Sequence, residues 1–245
     1  MDTGTALRVA SAGQRGLATR AQLAAAGLGR GRLARAVAAG ELIRIHRGVY
    51  GAEPLAPFAD HLLTGSGVDA SFLRSVQAAQ LAVGPASVAC ARTAAVVWRL
   101  DMLVEPGVLE LAAPRSAGRG APGGVALSRR SAVASSAVAG LRITPVLTTL
   151  RDCARSLPLN ESVAIIDSAL RRRLVTLDEL QICARRGSPL HRLSSWPTRC
   201  RSRCWSPRYA FCSLSTACCR PPRSTRFAAE ADSSRGWTPA GLDSA

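Results

Sequence analysis

Residues 19–51 read TRAQLAAAGLGRGRLARAVAAGELIRIHRGVYG, and their spacing decides the fold of the front of the chain. Thr19 is placed to cap a helix over Arg20 to Ala26, which Gly27 closes. A second helix follows at once from Arg30 to Ala39, with Leu33 and Val37 facing inward at i and i+4 and Gly40 as its stop. Leu42 to Arg47 then alternates apolar and polar side chains, and Gly48-Val49-Tyr50-Gly51 supplies a turn and a second β segment. Upstream, Thr5 to Ala12 predicts one more short helix, ended by Gly13 and Gly16. Two short helices joined by a tight glycine turn and followed by a β-hairpin predict the winged form of helix-turn-helix.

The polar residues of this stretch fit a nucleic-acid surface. Arg20, Arg30, Arg32 and Arg35 project from the helix pair, and Arg44, His46 and Arg47 from the hairpin. Guanidinium groups there can fork onto phosphates or guanine edges. The plainer alternative for any such run is a solvated helix face. What favours the nucleic-acid reading is the hairpin that follows directly.

Composition bounds the rest. All 32 basic residues are arginine, against 16 acids, giving a net charge of +16, a field that attracts polyanions. Arginine and alanine richness also reflects a GC-rich coding sequence, so only part of that charge bears on function. The 47% apolar fraction is largely alanine and only 4% of residues are aromatic, which predicts helices packed through Ala, Leu and Val. The chain is long enough to bury a real core. With no run of eighteen apolar residues and no signal-peptide pattern at the start, the expectation is a cytoplasmic protein without membrane contact.

Beyond a Pro/Ala linker near Glu53 to Pro57, helices are expected at Ala70 to Val83 and Ser87 to Leu100. Short β runs are expected at Val108 to Ala113, Val125 to Arg129 and Leu141 to Thr144, separated by the loop Pro114 to Gly124. Helices resume at Val146 to Leu157, Asn160 to Leu174 and Leu177 to Arg186, the last with Thr176 and Glu179 at capping-box spacing. The expected organisation is α+β: a winged helix-turn-helix over residues 1–52, a mainly helical domain with a small sheet over 60–187, and a tail over 188–245.

Residues 16 to 51, from Gly16-Leu17-Ala18-Thr19 to Gly48-Val49-Tyr50, resemble the amino-terminal winged helix of AbiEi-type antitoxins. Leu141 to Pro145, Thr148 to Asp152 and Ala169 to Leu180 are similar to the middle domain of an actinobacterial group of these proteins. The resemblance implies a repressor that binds inverted repeats in its own operon. It also implies a nucleotidyltransferase toxin as partner, encoded alongside in a type IV toxin–antitoxin system. Many actinobacterial proteins with this front half continue into a nuclease-like domain related to very-short-patch-repair endonucleases, whose acids would bind a metal.

Here the sequence departs from that pattern. Residues 188–245 hold eleven serines, nine arginines and five cysteines, with only Glu230, Asp232 and Asp243 as acids. Cys200, Cys204, Cys212, Cys218 and Cys219 show neither a CxxC knuckle nor paired His, so no metal is expected. Rereading the codons one nucleotide back forces alanine from Trp196-Pro197 and aspartate from Trp237-Thr238, and permits a sequence close to the start of the nuclease-like domain. The tail therefore reads as a frameshifted, disordered segment. The alternative function is the remnant of an endonuclease whose catalytic domain that frameshift removed.

Catalytic chemistry finds little footing elsewhere. His61 and His191 have no partner at catalytic spacing, no GxxxxGK[ST] or GxSxG pattern occurs, and Asp152 and Asp167 read as structural, with Asp152 near Thr148 and Thr149 for local hydrogen bonds. Arg171-Arg172-Arg173 ends a helix, where cations complement the dipole. The sequence thus predicts a non-enzymatic, cofactor-free protein that binds double-stranded DNA.

Overall fold

The computed structural model of the 245-residue chain describes residues 2–56, 63–64, 67–117, 120–184, 188 and 190–191. It opens with α1 (Thr3–Ala10), which starts two residues earlier than the spacing predicts because Asp2 caps it, accepting from the Thr5 N–H at 2.6 Å. The Thr5 hydroxyl, and after it the Thr5 N–H, hold the Asp2 carboxyl below its ordinary range. Next come β1 (Leu17–Thr19), α2 (Arg20–Ala25), α3 (Arg30–Ala38), β2 (Ile43–His46) and β3 (Val49–Gly51). The three strands form an antiparallel sheet in the order β1-β3-β2, with Ala18 opposite Tyr50 and Arg44 opposite Tyr50 from the other side. Strand β1, which reads as loop in the sequence, owes its existence to β3: three residues gain ladder bonds only after the chain has returned through the hairpin.

This small sheet packs against helices on both faces, with β2 at its edge partly exposed. On one side Ala6, Leu7, Leu23, Leu28, Leu33, Ala36 and Leu42 form the core of the three helices. On the other, Leu17 and Val49 pack against Ala78, Leu81 and Ala82.

Those last three residues belong to α4 (Ala70–Val83), which follows the two-residue strands β4 (Leu63–Thr64) and β5 (Gly67–Val68). Asp69 caps α4, accepting from Phe72 N–H and the Ser71 hydroxyl. The remaining elements are β6 (Val88–Ala89), α5 (Ala91–Val97), β7 (Leu109–Pro114), β8 (Val125–Arg130), β9 (Ser136–Val138), β10 (Leu141–Ile143), α6 (Val146–Ser156), α7 (Leu159–Arg171) and α8 (Leu177–Cys183). A five-stranded mixed sheet runs β8-β7-β6-β10-β9, with β7 parallel to β8 and β6 parallel to β10. Phe72, Val76, Ala79 and Val83 of α4 meet Leu109, Leu111, Leu141 and Ile143 of this sheet in one core, while Leu150, Cys153, Ile165, Ile166 and Leu180 of α6, α7 and α8 form a second. The chain is thus α+β, but its second unit is organised on a five-stranded sheet.

The helix expected over Ser87 to Leu100 is a correction. Its first part is the central strand β6, with Val88 opposite Ala112, Ala89 opposite Leu111 and Ile143 opposite Ala89. Cys90 N–H donates to Glu110 O at 3.0 Å and Thr144 N–H to Ala89 O at 2.8 Å, so the backbone there is committed to its neighbours. Ala91, at φ +46°, makes the turn and is the first residue of α5. The tail expectation lies outside the described residues except at its start. There Leu190, 1% exposed, packs with Leu180 and Ala184, so the packed chain runs past residue 187.

Candidate nucleic-acid interface

The surface is set up by caps and turns. Thr19 and Gln22 form a capping box: the Thr19 hydroxyl accepts from Gln22 N–H at 3.3 Å and the Gln22 amide oxygen accepts from Thr19 N–H at 2.8 Å. This fixes Arg20 in the first turn of α2, and the Arg20 N–H donates to Gly48 O at 2.9 Å, tying that turn to the hairpin tip. Gly48 has φ +82°, a value glycine adopts without cost in the two-residue connection between His46 and Val49.

Arg20, Arg30, Arg32, Arg35, Arg44 and Arg47 are exposed. On α3 the buried positions are Leu33 and Ala36; Val37, expected inward, is half-buried beside them. Arg32 and Arg35, three apart, share one flank, while Arg30 lies on the other. Arg32 reaches back to Gly27 O at 3.4 Å. Between the arginines the outward positions are Gly31 and Ala34, and a Cβ built on Gly31 meets open space. The ion pairs Arg92–Glu161, Arg130–Asp152 and Arg171–Asp101 all lie in the second unit.

His46 is the site residue the structure sets apart. The register of β2 against β3 shifts between Arg44 and His46, a bulge that leaves Ile45 packed toward α4. Arg44 and Arg47 line a large cleft, whereas His46 lines a separate hollow of about 250 Å³ with Leu55, Ser75, Leu109 and Val125. Burial holds the His46 imidazole below its usual value of 6.5, so it is neutral near pH 7 and contributes no charge to DNA. The unfolded chain takes up a proton on this side chain as pH falls through about 6.5, whereas the folded chain resists. Stability is therefore lost on acidification from about pH 6.5 toward the lower folded-state value. His46→Gln should flatten that acid limb, as read by thermal unfolding at pH 7.5 and 5.5.

Sequence reasoning missed the residues that hold the two units together. Arg74, on α4, donates to Pro54 O at 2.7 Å, Glu53 O at 2.8 Å and Arg15 O at 3.3 Å. Arg15 in turn donates to the Gln77 amide oxygen at 3.2 Å and to Ala139 O. No local pattern marks these contacts, which join residues 59 to 124 positions apart for Arg15 alone.

A second polar cluster lies within the second unit. Arg92 N–H donates to Glu110 at 2.7 Å, its guanidinium pairs with Glu161 at 2.7 Å, and Arg130 pairs with Asp152 at 2.8 Å. Asp152 thus answers to Arg130, while Thr149 Oγ1 instead bonds Thr144 and Pro145, a correction to the local role expected for Asp152. Burial pushes the Glu110 carboxyl up and the Cys90 thiol up to about 12, leaving Cys90 a protonated packing residue. Arg171 and Arg172 meet Asp101 and Arg99 O at the end of α7. Among the described residues no group of three or more His, Cys, Asp or Glu is placed to hold a metal ion, and no helix is long and apolar enough to cross a membrane.

No curated protein matches the chain. Residues 7–52, from Leu7 in α1 to the residue after β3, match the family model described as transcriptional regulator, AbiEi antitoxin. Over these residues the amino-terminal unit is similar to the AbiEi-antitoxin type of transcriptional regulator.

Proposed function

We propose that residues 1–52 are a winged helix-turn-helix that binds double-stranded DNA, and that the protein is a non-enzymatic transcriptional repressor of its own operon. The helix α3 would read the major groove with Arg30, Arg32 and Arg35, while Arg20 and the hairpin arginines Arg44 and Arg47 neutralise phosphates. The observation that carries this is the family match over a unit whose exposed side chains include Arg20, Arg30, Arg32, Arg35, Arg44 and Arg47. We extend this reading to the antitoxin of a type IV system, with a cognate nucleotidyltransferase toxin as the protein partner, residues 60–187 as the antitoxin-like domain and the cytoplasm as its place of action; the match over residues 7–52 supports its antitoxin-regulator part.

The test is fluorescence anisotropy of the full chain with the duplex upstream of its own coding sequence, titrated with salt beside a scrambled duplex. Preferential binding supports a sequence-reading regulator. Equal, weak binding to both sinks the repressor assignment.

Gly31 gives a sharper check on the role of α3. An interior helical glycine costs roughly 0.5–1 kcal/mol relative to alanine, and a Cβ at this position meets nothing. Gly31→Ala should therefore raise the thermal midpoint slightly. If α3 lies against base edges, the same methyl group should weaken DNA binding. Unchanged affinity in the more stable variant would move the groove contact off this face.

A further inference from the structure

Between the two units lies a cleft of about 1430 Å³ whose walls carry Arg20, Arg44 and Arg47 on one side and Arg142 on the other. Its floor includes Gln77 and Gln80 of α4, and among the described residues no acidic one lines it. Small-molecule sites usually occupy about 300–1000 Å³, so this volume suits a segment of a polymer. Four guanidiniums with no carboxylate among them specify a polyanion.

The walls are held in place before any ligand arrives. Arg15 and Arg74 tie the amino-terminal unit to α4 and to the β9–β10 turn at Ala139, so little ordering remains to be done on binding. Arg142 is positioned by its own contacts: its guanidinium donates to Pro85 O and to Ser135 Oγ, the latter at 3.2 Å, and its carbonyl accepts from the Gln80 amide. A guanidinium has five N–H donors, so two contacts leave about three to offer. Ala121, Gly120 and Gly140 line the same wall, where the absence of long side chains lets a backbone approach.

We propose that this cleft grips the sugar-phosphate backbone of one strand of the bound duplex, making Arg142 and the 120–122 loop part of the DNA interface. The proposal rests on the DNA-binding assignment above and extends it to the second unit. DNA is favoured over an acidic polypeptide because three of the four arginines belong to the regulator segment, and Arg20 is bonded through its N–H to the hairpin tip at Gly48.

The experiment compares full-length wild type, Arg142→Ala, Ala121→Glu and Arg155→Ala on one duplex across a salt series. Arg155 is an exposed residue of α6 outside the cleft and controls for loss of one positive charge. Ala121→Glu is an exposed loop change that places a carboxylate in the cleft while leaving every Arg142 contact intact. Arg142→Ala is expected to bind about three- to tenfold more weakly with a salt slope about 0.9 shallower, Ala121→Glu to bind more weakly still, and Arg155→Ala to stay within about twofold of wild type. Wild-type affinity and slope in Ala121→Glu overturn the proposal and leave the cleft to an acidic polypeptide. Should that happen while Arg32→Ala/Arg35→Ala still weakens binding, the DNA assignment survives and only the cleft is lost. If neither set weakens binding, both fall.

Discussion

Replacing Arg32, Arg35 and Arg47 together with alanine is expected to weaken binding to duplex DNA by about 100-fold near physiological salt and to flatten its salt dependence. Each charge-assisted contact to a phosphate or guanine edge contributes on the order of 1 kcal/mol net, and 1.4 kcal/mol is a factor of ten. Each phosphate contact removed takes about 0.9 from the slope of log affinity against log salt. All three side chains are exposed and outside the hydrophobic cores, so the fold should tolerate their loss. Arg35 stands on the outward face of α3, and Arg32 shares its flank. Unaltered affinity and slope in a variant with a wild-type thermal midpoint would show that this surface does not meet DNA.

The largest effect on stability should come from Arg92→Ala. Arg92 faces two carboxylates, pairing with Glu161, which is 7% exposed, and bonding Glu110 through its N–H. Removing the guanidinium leaves buried negative charge uncompensated, a loss of about 3 kcal/mol for a pair this enclosed. That corresponds to a drop of roughly 6–12 °C in thermal midpoint for a chain of this size. The pH dependence identifies the cause. Glu110 is already held above the ordinary carboxylate range by burial, and Arg92 opposes that rise. A carboxyl with a raised folded-state value makes the folded chain bind more protons, so stability increases as pH falls through that value toward the unfolded one. The deficit of Arg92→Ala should therefore shrink between pH 7 and pH 5 in urea titrations. A deficit independent of pH would mean that lost packing, not stranded charge, is responsible.

How much of this was legible in the sequence depends on where each feature's cause lies. Helix α4 follows its predicted bounds, Ala70 to Val83, because its apolar spacing and the Asp69 cap are local. Helices α2, which Thr19 caps, and α3, which is followed by Gly40 at φ +75°, start where expected and end one residue short, at Ala25 and Ala38. Strands β1 and β6 escaped because two or three residues such as Val88-Ala89 have no periodicity of their own; their hydrogen bonds come from strands dozens of residues away. The arginines of the candidate interface were named from the sequence, and the structure leaves six of them exposed. That His46 faces a different hollow follows from a one-residue bulge, which alternation cannot reveal. Arg142 lay beyond sequence reasoning altogether, since its place opposite Arg44 and Arg47 exists only once α4 has brought the two sheets together.

Helix α4 has apolar residues on both sides: Phe72, Val76 and Ala79 face the large sheet, and Ala78, Leu81 and Ala82 face the small one. The stretch matched by the family ends at residue 52, before this helix begins. A cassette cut at that boundary and grafted onto another protein would carry the arginines but expose Leu17 and Val49 to water, an apolar sheet face ready to pair with its neighbours. A cut after Val83 would cover Leu17 and Val49 but bare Phe72, Val76 and Ala79 instead, so neither boundary yields a portable module, and exchanging regulators between such proteins would require moving both sheets together with α4.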